Sequence, residues 1–262
     1  TSVRMSAAQL YDLVFEGNNK WMLSANGTIF TYEYEAIIPG LLKRWYEERQ
    51  EMQRKMRECG DNEIEREYWD KRQLVKKINL NSLYGAILNP GCRFFDIRIG
   101  QSVTLTGRCI TKHMASKVNE IVTGEYDHKG ESIVYGDTDS VYFSAYKTLQ
   151  KEIKDGLIPW TKDSVVGLYD KISEEVNSSF KSFMTKAFHT PATRGEVIAA
   201  GRELVASKGL FITKKRYAVL YYDKEGKRTD VEGKEGKMKA MGLDLKRSDT
   251  PVFVQDFLSE IL

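Results

Sequence analysis

Apolar residues recur at helical spacing along two neighbouring stretches. Over 38–56, Leu41, Trp45, Met52 and Met56 share one face, and Pro39 suits a first helical turn, where its missing N–H is not needed. The string "ECGDNE" breaks the pattern, and a second helix follows over 64–83 with Ile64, Tyr68, Val75 and Ile78 as its inner stripe. Together they predict a helical hairpin. Its remaining positions, "RWYEERQEMQRKMRE" and "EREYWDKRQLVKK", are so charged that both helices must keep wide solvated faces. "NPG" at 89–91 ends the unit.

The pattern then mixes. "CRFFDIRI" is β-like, 102–122 reads as a helix, and two β-forming runs, "SIVY" and "SVYF", are joined by the turn residues "GDTD". A long amphipathic helix fits 162–188, where Val165, Leu168, Ile172, Val176, Phe180, Phe183 and Ala187 fall on one core-facing side. Beyond it "GEVIAA", "RYAVLYYD" and "GKMKAMGL" read as strands punctuated by glycine turns such as 224–227. Helices mixed with antiparallel strands imply an α+β fold.

Composition narrows the function classes. A chain of 262 residues that is 41% apolar can bury a real core, as one large domain or two modest ones. Forty basic against 37 acidic residues give a net charge of +3, too small to mark a nucleic-acid binder, so the distribution of charge has to decide. Cys59, Cys92 and Cys109 lie far apart with no C-x-x-C pair, which argues against a zinc site and a disulfide framework and for a reducing compartment. No apolar run approaches the roughly 18 residues of a membrane span and no secretion signal opens the chain. A cytoplasmic location is therefore expected, that of the host if the chain is viral. Asn26-Gly27-Thr28 and Asn177-Ser178-Ser179 match the glycosylation pattern but read as a turn and as helix surface.

The candidate chemistry lies in the short hairpin. Asp137 and Asp139 would stand at its tip, where two carboxylates can hold two hard cations a few ångströms apart for in-line attack on phosphorus. A calcium loop is excluded, because it would need Asp or Asn where Val141 stands. Alone, a D-x-D in a turn is more often structural. The metal reading requires cations elsewhere, aimed at a triphosphate. In "KKINLNSLYG", Lys77, Asn81 and Tyr84 follow i, i+4, i+7 spacing and line one helical face with a cation, an amide and an aromatic ring. The bland alternative is a solvated face ending in a glycine cap at Gly85. Arg49 on the partner helix is a second phosphate candidate. Lys214, Lys215 and Arg216 precede Tyr217 and a β-like run, an interleaving that suits contacts along a duplex backbone but also guards a strand edge.

Taken in order, "KKINLNSLYG", "YGDTDS" and "TKKRY" resemble the fingers, catalytic palm and duplex-contact motifs of family B DNA polymerases. "SANGTIFTYEYEAIIPGLLKRWYEERQ" and "KMKAMGLDLKRSDTP" resemble, more finely, the replicative polymerases of T4-like phages. The resemblance covers nearly the whole chain, the 162–188 helix in pattern only. It implies a lead-in over 1–35, a fingers hairpin over 36–90, a palm of antiparallel sheet and packed helices over 91–255, and the start of a truncated thumb over 256–262. It further implies that Asp137 and Asp139 bind two Mg²⁺, with Mn²⁺ able to substitute, and that Glu196 corresponds to a nearby palm carboxylate. Arg49, Lys77 and Asn81 would face the incoming triphosphate, Tyr84 and Gly85 the nascent base pair, and Lys214, Lys215, Arg216 and Tyr217 the primer-template.

Departures from the family pattern matter too. Gln53 stands where relatives often have a lysine, so triphosphate binding would be weaker or borrow Arg54. No "D-x-x-S-L-Y-P-S" string supplies the family's first carboxylate; "AAQLYDLVFEG" lacks its serine and proline, and Asp12 is not a substitute. Exonuclease and thumb regions are absent as well, so the chain reads as a piece of something longer. Expected partners are primer-template DNA, deoxynucleoside triphosphates and those missing segments, in cis or in trans. A DNA-binding half of a split polymerase, inactive alone, is the alternative. RNA-templated polymerases also carry paired aspartates, but the fingers stripe and "KKRY" argue against one.

Overall fold

A computed structural model gives the structure of residues 4–17, 20–231, 233–244, 247 and 249–261. The fold is α+β and parts into two compact units, residues 1–106 with 188–190, and residues 107–187 with 191–262. The division falls inside a helix, between residues 106 and 107.

In the first unit α1 (Ala7–Phe15) opens with a capping box, in which the Ser6 hydroxyl accepts from the Gln9 amide and the Gln9 side chain accepts from the Ser6 amide. It buries Phe15 against the His189 ring. Strands β1 (Trp21–Leu23) and β2 (Ile29–Thr31) form an antiparallel hairpin turned at Gly27, whose φ is +84°. The expected helical hairpin follows as α2 (Ile37–Glu58) and α3 (Glu63–Ile87), with Asn62 capping the second helix by accepting the Glu65 amide.

The inner face of α3 is not the one its apolar residues mark. Ile64, Tyr68, Val75 and Ile78 are all exposed. Trp69, Gln73 and Lys76 face α2 instead: Lys55 lies over the Trp69 ring, Arg49 donates to Gln73, and Lys76 pairs with Glu48 at 2.5 Å. Long polar side chains cover apolar surface with their stems and keep their heads in water, so counting apolar residues alone picks the wrong stripe.

The β-like "CRFFDIRI" is not a strand either. The Asp96 carboxylate accepts the Arg98 amide at 2.8 Å and starts a helix there, so α4 runs Ile97–Thr123.

The second unit is built on α4 and α6 (Lys162–Phe188). Val118 packs with Ile172, Val176 and Phe180, and Ile133 and Phe143 of the aspartate hairpin, β3 (Ile133–Asp137) and β4 (Ser140–Phe143), pack onto that cluster. The amphipathic reading of α6 holds, with Met184 and Phe188 extending the buried face. Short helices α5 (Gln150–Lys154) and α7 (Ala192–Gly195) flank it. An antiparallel sheet follows, in which β6 (Arg216–Lys224) pairs with β5 (Leu204–Thr213) on one edge and with β7 (Lys227–Arg228) and β8 (Lys237–Met241) on the other. The chain closes with α8 (Val252–Ile261).

"GEVIAA" forms no strand. Ala200 exchanges hydrogen bonds of 2.7 Å with the side-chain amide of Asn177 on α6, which satisfies the backbone as a neighbouring strand would. Asn177 is thus a packing residue and not open helix surface. Strand β5 escapes sequence reading because Ser207, Lys208 and Gly209 interrupt it and its register shifts repeatedly.

Candidate functional site

The aspartate hairpin is strapped at both ends. At its base, buried Asn119 of α4 accepts the amide and the hydroxyl of Ser132 at 3.1 and 2.8 Å and donates to the Glu125 carbonyl. At its tip the Asp139 amide bonds back to the Asp137 carbonyl at 2.6 Å, a three-residue turn centred on Thr138 at φ +50°. The Thr111 hydroxyl of α4 donates to the Thr138 carbonyl at 2.9 Å. Asp137 is half-buried and accepts the Thr138 hydroxyl, while Asp139 is exposed.

No described lysine or arginine forms an ion pair with either carboxylate. Neither carboxylate has a counter-ion among the described residues. Among the described residues no group of three or more Asp, Glu, His or Cys gathers as a metal cage. That fits magnesium, which is usually bound through one or two carboxylates, with waters and substrate phosphates filling the rest of its shell. Glu196 is not brought to the tip: it stands at the end of α7, paired with Lys181 of α6 at 2.6 Å.

An aromatic cluster joins the hairpin to the basic turn between β5 and β6. Tyr135, Tyr142, Phe211 and Tyr217 pack with ring centroids 5.2–6.2 Å apart, and burial pushes the Tyr142 hydroxyl well above the usual tyrosine range. The Tyr135 hydroxyl accepts the Lys215 amide at 2.8 Å, which helps hold Lys215 at φ +62°. Gly242 must be glycine beside this turn, since a Cβ there would lie 2.0 Å from the Lys215 carbonyl oxygen. Lys214 and Lys215 are exposed with no described carboxylate in reach, whereas Arg216 bonds to the Gly242 carbonyl and to Asp244. Tyr217 corrects its sequence reading. Only 5% exposed, its ring anchors the turn from inside and is not available to a duplex.

Between the unpaired edges of β4 and β5 lies a cleft of about 590 Å³. Met114, Val118, Ile172 and Val176 line it on the helix side, and Asp139 and Glu203 also belong to its lining.

In the first unit, Lys77 and Asn81 are exposed on one face of α3. Lys76, the adjacent cation, is committed to Glu48, whereas Lys77 has no described ion-pair partner. Tyr84 is half-buried, its hydroxyl donating to the Gly100 carbonyl at 3.2 Å. Gly85 does not cap the helix, which continues to Ile87, and a Cβ at Gly85 would meet nothing within 4 Å. Arg49 is half-buried and bonded to Gln73; Arg54 is spent on Glu51 and Glu58 of its own helix.

Sequence reasoning missed Thr111, Asn119 and Tyr135. Asn119 alone had a signal, an amide side chain among the inward residues Ala115, Val118 and Val122 of α4.

The profile of DNA polymerase family B matches residues 12–262, so the chain belongs to that family. The DNA-directed DNA polymerase of Escherichia phage RB69 is 34% identical over 202 residues, covering 72% of this chain and 22% of that protein. That of Enterobacteria phage T4 is 31% identical over 200 residues, covering 72% and 21%. DNA polymerase 1 of Pyrococcus abyssi (strain GE5 / Orsay) is 25% identical over 236 residues, covering 90% and 24%. The chain thus spans about a quarter or less of the length of these relatives. Among the described residues no helix is long and apolar enough to cross a membrane.

Proposed function

We propose that this chain carries the nucleotide-adding site of a DNA-directed DNA polymerase, which extends a primer 3′-hydroxyl by deoxynucleoside monophosphates on a DNA template. The observation that carries the reading is the pair of aspartates one residue apart, neither with a described ion-pair partner, at a tip tied to α4, in a chain of this family. Asp137 and Asp139 would hold two Mg²⁺, with Mn²⁺ able to replace them. Bound there, such ions lower the charge on the reacting oxygens and favour in-line displacement at phosphorus.

The chain's own residues do the rest. Lys77 and Arg49 offset triphosphate charge, Asn81 donates to it, and Tyr84 presents an aromatic wall to the new base pair with Gly85 leaving space beside it. Lys214, Lys215 and Arg216 take phosphates of the primer-template. The primer oxygen bonds to the α-phosphorus as the α–β bridging bond breaks, pyrophosphate leaves, and the hydroxyl proton passes to solvent. The similarity to phage polymerases supports a place in viral DNA replication in the host cytoplasm.

A third carboxylate is expected from a further segment of the polymerase, in cis or in trans. The cleft between two unpaired strand edges, with Asp139 in its lining, supports the entry of that segment as an inserted strand. The same observation favours a second reading, a DNA-binding half that is inactive alone. Primer extension with Mg²⁺ and deoxynucleotides tests both, using the chain alone and joined to the segment that completes it. Asp137→Asn in the joined form should abolish extension and leave duplex binding intact; extension retained would sink the proposal. Extension by the unjoined chain would remove the second reading.

A further inference from the structure

We infer that Thr111 of α4 is a positioning residue for the aspartate pair, its hydroxyl fixing, through the Thr138 carbonyl, the backbone from which both carboxylates project. The consequence for metal binding rests on the function proposed above; the tether itself does not.

Asp137 and Asp139 are separated by a single residue, so the torsions of that residue decide whether the carboxylates point together or apart. Thr138 is β-branched and sits at φ +50°, a region such residues avoid. Strained backbone persists where its surroundings over-determine it. The short turn from the Asp139 amide to the Asp137 carbonyl is one restraint, and it leaves the Thr138 carbonyl outside the β3–β4 ladder. The Ser140 hydroxyl, donating to the same Asp137 carbonyl at 3.1 Å, is another, and Thr111 supplies the one that reaches the Thr138 carbonyl from outside the hairpin, at 2.9 Å. A threonine in a helix commonly bonds its own i−4 carbonyl, and Gly107 offers one at 3.1 Å. The hydroxyl has one hydrogen, and the bond across to the hairpin is the shorter. The same helix holds the hairpin base through Asn119, roughly two turns further on, so α4 acts as a splint along β3. Without the hydroxyl, Thr138 can relax toward ordinary torsions and the relative direction of the two carboxylates is no longer fixed.

Thr111→Val keeps the shape and removes the hydroxyl, while Thr111→Ser keeps the hydroxyl. Two readouts apply to the purified chain: residue-resolved amide exchange at Asp139 and Ser140, and binding of Mn²⁺ followed by its electron paramagnetic resonance signal. With a hydrogen bond of ordinary strength at stake, the valine variant should speed exchange at these two amides by about tenfold and weaken Mn²⁺ binding about three- to tenfold. The serine variant should stay within about twofold of the parent for both. Unchanged exchange in the valine variant overturns the inference. So does exchange raised equally throughout α4 and the β5–β6 sheet, or a serine variant that behaves like valine. Asp137→Asn separates the two ideas: if it binds Mn²⁺ as well as the parent, or if the parent shows no saturable binding, the metal reading falls while the exchange data still decide the role of Thr111.

Discussion

Gly85 lies inside α3 with open space where a side chain would go, so neither backbone nor packing calls for a glycine there. Glycine in a helix costs about 0.5–1 kcal/mol relative to alanine, so Gly85→Ala should raise stability by that amount in denaturant unfolding. If Gly85 lies beside the nascent base pair as proposed, the same substitution should lower the rate of nucleotide addition in the joined polymerase, because the added methyl group would enter that space. A second test is electrostatic. His113 is buried between α4 and α6, donating from Nε2 to Ser179, whose own hydroxyl is given to the Val176 carbonyl, and accepting at Nδ1 from Tyr126. Burial, and then the Lys117 charge, push its pKa down. Below the unfolded value of about 6.5 the unfolded chain takes up a proton that the folded chain refuses, so stability falls as pH drops through that value. His113→Gln should flatten the loss seen between pH 7.5 and 5. At this scale the place of the two aspartates at a hairpin tip and the exposed position of Lys77 were legible from residue type and spacing. The burial of Tyr217 was not, since a tyrosine beside lysines reads the same whether its ring points in or out.

The α2–α3 hairpin has no buried residue in its first helix and only Ile87 in its second. Exposed ion pairs and cation–π contacts hold it, each worth about 1 kcal/mol or less. Which contacts matter follows from the face that α3 turns inward. Ile64→Ser should change unfolding free energy by no more than about 0.5 kcal/mol, the usual range for exposed positions. Trp69→Ala removes the ring that Lys55 covers and should cost more than that and lower helical content. The sequence marked both helices to within a turn but inverted this face, because lysine and glutamine stems pack without counting as apolar. Elsewhere α6 and most of α4 declared themselves through periodicity, whereas α1, α5 and α7 did not, nor did "CRFFDIRI", "GEVIAA" and β5: a cap, a side-chain amide and repeated register shifts decided the last three, and none of these has a period.

For the molecule as a whole, a net charge of +3 leaves duplex binding to local clusters. If Lys214 and Lys215 each take one phosphate, replacing both by alanine should reduce the slope of log affinity against log salt by about 2 and weaken binding regardless of DNA sequence. Titrations of a fluorescent duplex at several salt concentrations check this. Three ordered motifs made the family legible across nearly the whole chain; what they could not give was the tie between the last two, which runs through Tyr135 and the Lys215 amide.

The cleft beside β4 bears on how the protein behaves in a test tube. Open strand edges recruit other chains, and natural sheets protect them with charges, prolines or covering segments. The β4 edge, "SVYF", carries no charge and no proline. Left unfilled, it and the facing edge of β5 are templates for self-association, so concentrated preparations of the bare chain are prone to aggregate. Co-expression with the strand that fills the gap would then act as a chaperone for solubility before it acts on catalysis.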